Sequence, residues 1–145
     1  MINMVFNKDC MEDMPHYSDN YFDIAIVDPP YGGILNKKVG HGKLKESLAR
    51  YGGGDWDYSP DEKYFLELFR ISKNQIIWGG NYFIDKIKKP SSCWIVWNKL
   101  NGKSHYADCE LAWTSFTTAT RMHEQSVQSY ICLLYTSDAA DDLTR

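Results

Sequence analysis

No apolar run in these 145 residues approaches the ~20 that a membrane-spanning helix needs. The N-terminus lacks the basic-then-apolar pattern of a secretion signal, so the expected location is cytoplasmic. No two cysteines form a CxxC pair: Cys10, Cys93, Cys109 and Cys132 stand far apart, with no His at ligand spacing beside them. That favours free thiols in a reducing compartment, and no metal site is expected. Charge of neither sign dominates, and a net of -3 is not that of a basic nucleic-acid-binding domain. Internal repeats and low-complexity segments are also missing.

What is present is a globular composition, 43% apolar and 24% charged, with enough length for one domain and a real core. Aromatics stand at 14%, including ten Tyr and five Trp, more than a core of this size needs. Some rings are therefore expected to serve a ligand or partner. Positive charge gathers in 36–50, "NKKVGHGKLKESLAR", where Lys37, Lys38, Lys43, Lys45 and Arg50 face one acid, Glu46. This loop could follow phosphates, or it could simply be solvated.

Cys132 to Arg145, "CLLYTSDAADDLTR", continues no helical or strand period. Through Asp142 it matches the translation of a widely used transposon-based sequencing adapter. Residues 132–145 are therefore expected to be a non-native tail, and residues 1–131 the N-terminal portion of a longer domain. Without the tail the acidic and basic side chains number 16 and 15.

Along the chain, Met1 to Phe6 is a short strand candidate and Asp9 to Pro15 one helical turn. Tyr21 to Val27, "YFDIAIV", is nearly continuous in apolar character, as in a strand covered on both faces. Ser59-Pro60-Asp61-Glu62 predicts a helix start with Ser59 as N-cap. Gln75–Trp78, Cys93–Trp97 and Asp108–Phe116 are further strands, and Asn81 can cap a short helix through Lys88. Strands alternating with helices predict an α/β fold: a Rossmann-like, doubly wound, largely parallel sheet. Ligands of such sheets bind beyond the carboxyl ends of strands, where Asp28, Gly79 and Asn98 would lie.

The strand 21–27 runs into Asp28-Pro29-Pro30-Tyr31. The prolines fix two φ angles and lack N–H groups, so the turn offers carbonyl acceptors without competing donors. Asp28 adds a carboxylate and Tyr31 a flat ring. Together they suit a planar group bearing an NH2, gripped by both N–H bonds and stacked on Tyr31. Acceptors placed out of plane would draw such a nitrogen toward tetrahedral geometry and favour positive charge developing on it.

This "DPPY" resembles the catalytic motif of amino-group DNA methyltransferases. "NKDCMEDM" upstream is similar to the family's acid-Cys segment, and "NQIIWGGNYF" and "WIVWNKLNGKSHYADCELAWTSF" look like a phage and prophage branch. The resemblance covers about Met1 to Arg121. It implies S-adenosylmethionine as cofactor and double-stranded DNA with a flipped adenine as acceptor. It also implies catalytic roles for Asp28, Pro29, Pro30 and Tyr31, and cofactor contacts at Asp9, Cys10 and Asp28. Asn98 and Lys99, ending a strand, are candidate DNA contacts, with polarity at the site's rim as the alternative; the glycines of 78–81 let backbone approach a substrate or simply make a turn. D/N-P-P-Y also serves RNA and protein-glutamine methylation; Asp at the first position leans toward adenine, as against Ser in many cytosine enzymes, and cytosine N4 and a non-catalytic nucleic-acid-binding remnant stay open as alternatives. No strand-following FxGxG turn for the cofactor's methionine end occurs, so the 145 residues alone are expected to be inactive.

Overall fold

The computed structural model describes residues 4–32, 58–102 and 107–126. The elements run α1 (Cys10–Asp13), a 3-10 turn (Met14–His16), β1 (Ala25–Val27), α2 (Glu62–Ile71) and β2 (Gln75–Trp78). A second 3-10 turn (Gly80–Tyr82), α3 (Ile84–Ile87), β3 (Trp94–Asn98), β4 (Cys109–Thr114) and β5 (Arg121–Glu124) follow.

One sheet contains all five strands in the order β1-β2-β4-β3-β5. Only β1–β2 and β3–β5 are parallel; β4 is antiparallel to both β2 and β3. This overturns the expectation of a largely parallel, doubly wound sheet. The reason lies in the connections. A parallel neighbour needs a crossover of a dozen or more residues, as α2 provides between β1 and β2. The link between β3 and β4 is shorter and is closed by Lys99 N–H on the Asp108 carbonyl at 2.9 Å. It folds back as a hairpin and inserts β4 beside β2.

The second reason is that the helices share one face. Ile77 and Trp113 are register partners, and so are Trp113 and Trp94. This side carries the core with Phe65, Leu68, Ile71, Phe83 and Ile87. Every buried helical residue among those described belongs to that cluster. The other face holds Ile26, Ile76, Trp78, Ile95 and Trp97. Ile26 is 63% exposed, so β1 is not the doubly covered strand its composition suggested. It is also an edge strand among the described residues, and shorter than 21–27. Met4 to Phe6 forms no strand and is exposed.

Helix α2 forms because Tyr64, Phe65, Leu68 and Ile71 recur at helical spacing and bury one stripe. Its N-cap is Asp61, whose Oδ1 accepts from Tyr64 N–H at 3.1 Å, rather than Ser59. Ser59 Oγ accepts instead from Lys86 Nζ at 2.5 Å, and the Pro60 carbonyl from the same amine at 2.7 Å. Arg70, near the other end of α2, donates to the carbonyls of Met14 and Tyr17 at 3.1 and 2.8 Å, and pairs with Glu67 and Asp19. These contacts fasten both 58–61 and 14–17 to the helical layer.

Trp113 is 2% exposed, and its indole N–H donates to the Lys89 carbonyl at 3.1 Å. Trp113→Ala is expected to remove roughly 3–5 kcal/mol of stability. Urea unfolding followed by circular dichroism checks this; a loss under about 1 kcal/mol would contradict the central place given to this ring.

Candidate active site

Since β4 alone is reversed, β1, β2 and β3 point the same way. Asp28, Gly79 and Asn98 therefore come out on one edge of the sheet. Asp28 is exposed, Pro29 buried and Pro30 half-buried, so the rigid dipeptide anchors the turn and leaves the carboxylate accessible. The Tyr31 hydroxyl donates to Asp28 Oδ1 at 3.1 Å. Burial first, and then the charge of Asp28, push that hydroxyl's pKa well above the ordinary tyrosine range, so it stays protonated and keeps donating.

A cleft of about 740 Å³ opens beside this turn. Val27, Asp28, Pro29 and Pro30 form one wall, Lys8 to Met11 a second, and Tyr58 to Asp61 with Tyr64 a third. Its size falls in the range of small-molecule sites. Asp9, nineteen residues before Asp28 in sequence, thus shares one cavity with it. Asp9 Oδ1 caps α1 by accepting from Met11 N–H at 2.8 Å. Three carboxylates, from Asp9, Asp28 and Asp61, border the space. Among the described residues lining it, the cationic side chain is Lys8, engaged by Asp13. The balance of these described side chains favours a cationic ligand.

Cys10 also borders the cleft, with its thiol pushed up by partial desolvation and then by the charge of Asp9. This disfavours a nucleophilic thiolate. Tyr64, on the third wall, has its hydroxyl pushed up chiefly by burial.

Tyr31 is not among the residues that line the cleft. Its ring lies 4.8 Å from that of Tyr82, centroid to centroid, with the planes 32° apart. It also packs on Gly79, where an added Cβ would fall 2.1 Å from Tyr31 Cε1. Gly79 has φ +64°, the left-handed region that favours glycine.

The remaining expected contacts are placed otherwise or lie elsewhere. Asn98 Nδ2 donates to Glu124 at 3.0 Å, and its Oδ1 accepts from Leu100 N–H at 3.1 Å, so it shapes a turn. Lys99 pairs with Glu110 and sits 5.6 Å from the Trp97 ring centroid, which ties its charge to the sheet. Lys37, Lys38, Lys43 and Lys45 lie outside the described residues.

Asp61, Tyr64 and Tyr82 are the site residues that sequence reasoning missed. "SPDE" carried a helix-start signal that masked a second use for its acid. Tyr82 had a detectable signal, since it follows two glycines at the end of a strand. No protein-family model matches this chain. No curated protein is significantly similar to it.

Cys10 should alkylate with iodoacetamide more slowly than an unhindered thiol at pH 8. Asp9→Asn keeps the cap but removes the charge, and should speed the reaction about twofold, since burial is the larger cause. Peptide mass spectrometry reads Cys10 separately; an unchanged rate would mean that the two side chains are not neighbours.

Proposed function

We propose that this chain carries the acceptor-binding half of an S-adenosylmethionine-dependent methyltransferase acting on an exocyclic amino group, adenine N6 in DNA. The supporting observation is the Asp28–Tyr31 turn at the mouth of a carboxylate-lined cleft shared with Asp9. Tyr31 holds Asp28 Oδ1, which leaves Oδ2 for the acceptor. One amine N–H goes to Asp28 Oδ2 and the other to a carbonyl of the proline pair. Both prolines lack the N–H that would compete for these acceptors. The two acceptors withdraw density along the N–H bonds and stabilise positive charge on the nitrogen as its lone pair is used. Asp28 need not act as a strong base, because the proton becomes acidic once the nitrogen is cationic.

The residues of the cleft fit the cofactor on charge: its sulfonium is cationic, and Asp9, Asp28 and Asp61 line the walls. Asp9 and the Cys10 backbone would hold its adenosine end, with Asp28 between cofactor and acceptor. When bound, the cofactor supplies an electrophilic methyl group. Unstacking the target base costs a few kcal/mol, which contacts on the flipped ring must offset.

The deciding assay supplies labelled S-adenosylmethionine with DNA, RNA and protein as competing acceptors, using the reading frame extended past codon 131 to include an FxGxG turn. Label should enter DNA as N6-methyladenine. Asp28→Ala should lower transfer at least about 100-fold, the size of effect expected on losing one preorganised electrostatic partner, while cofactor affinity falls far less, since Asp9 and Asp61 remain. Label in RNA or protein alone, or an active Asp28→Ala variant, would reject the proposal.

A further inference from the structure

Tyr31 is held by three contacts that come from two separate elements. Its hydroxyl reaches Asp28 within its own turn. The other two come from the turn after β2: the bare Cα of Gly79 at the ring edge and the Tyr82 ring at 4.8 Å. That turn is itself stiff. Tyr82 N–H donates to the Gly79 carbonyl at 2.8 Å, and Gly79 N–H donates to the Leu111 carbonyl of β4 at 2.9 Å. Phe83, fully buried next in sequence, lies 6.0 Å from Tyr31 and fixes the end of the turn in the core.

Tyr82 is 50% exposed, so hydrophobic burial gives little reason for its ring to stand where it does. Its ring contact is with Tyr31. An offset, tilted stack of this kind fixes a ring plane, worth a few-fold in any equilibrium that depends on it.

From this geometry we propose that Gly79 and Tyr82 are positioning residues of the acceptor site: together they seat the Tyr31 ring in the plane against which the amino-bearing base stacks. The proposal rests on the acceptor role given to Asp28–Tyr31 above. Gly79 leaves room for the ring edge, and no side chain can replace it without displacing Tyr31. Tyr82 acts through Tyr31, and its ring rather than its hydroxyl does so.

The test uses the 145-residue chain with 13C-labelled tyrosine and the variants Tyr82→Leu, Tyr82→Phe and Gly79→Ala. Tyr82→Leu should move the Tyr31 ring resonances by removing the neighbouring ring current, and Tyr82→Phe should restore them. A fluorescein-labelled single-stranded oligonucleotide containing adenine serves as the acceptor probe, with binding read as fluorescence anisotropy. Its affinity should fall about two- to tenfold in Tyr82→Leu and recover in Tyr82→Phe. Gly79→Ala should displace the Tyr31 signal further; if it does not fold, the Tyr82 pair of variants decides. Unmoved Tyr31 resonances in Tyr82→Leu, or no recovery with Phe, would overturn the inference. A wild-type chain that does not bind the probe would instead reject the acceptor reading, while the Tyr31 resonances still decide whether Tyr82 positions it.

Discussion

Gly79 and Gly80 are consecutive residues squeezed between two aromatic side chains with different duties. A Cβ on Gly80 would lie 2.4 Å from the Cβ of Trp113, at the centre of the core. A Cβ on Gly79 would lie 2.1 Å from the ring of Tyr31, at the candidate site. Two missing side chains thus couple the packing of β4 to the posture of the turn after β1. Trp113 holds its place through burial and its bond to Lys89, Gly80 follows Trp113, and Gly79 passes that position to Tyr31. Because interiors are close-packed, neither contact can relax by much without the other moving. The reversed strand is therefore what places the site's aromatic ring.

Local patterns proved easier to read than their arrangement. "QIIW" became β2 without a shift in boundary, because a short apolar run stopped by two glycines has little freedom. The helix after Ser59 was also legible, but its cap moved to Asp61, since Lys86 takes up Ser59 and the Pro60 carbonyl from another part of the chain. That competition is a tertiary contact and leaves no local trace. Strand order had the same problem. Alternating strands and helices suggested parallel crossovers throughout, whereas the link from β3 to β4 carries no described helix and closes as a hairpin. The site residues Asp9 and Asp28 were visible as residue types in motifs. Their sharing of one cleft with Asp61 depends on how α2 and α1 dock, through Arg70 and Lys86.

The Asp28–Pro30 turn borders two chemically different neighbourhoods. Carboxylates line the cleft, whereas Tyr31, which follows the turn, pairs with the ring of Tyr82. Neither proline adds an N–H donor to them. Asp28 belongs to both: one oxygen is fixed by Tyr31, and the accessible carboxylate faces the cleft. The proposed transfer between two bound groups would draw on such a shared residue, since proximity and orientation at the reacting atoms are worth several kcal/mol.

The surplus of aromatic residues can now be divided by use. Trp113, Phe65 and Phe83 fill the core, and their burial is sufficient reason for them. Tyr17, Tyr21 and Phe22 form a second cluster, with centroids about 5 Å apart, where the N-terminal segment meets α2. Trp78 and Trp97 meet edge-on at 6.3 Å on the sheet face away from the helices. Tyr31 touches the first group, 6.0 Å from Phe83, whereas Tyr82 belongs to none of them. Tyr31 is only half-buried and Tyr82 half in solvent, yet their rings are nearly stacked beside an accessible carboxylate. On the proposed function, a planar, amino-bearing ring would use both features, a face to stack on and an acceptor at a fixed distance from that face.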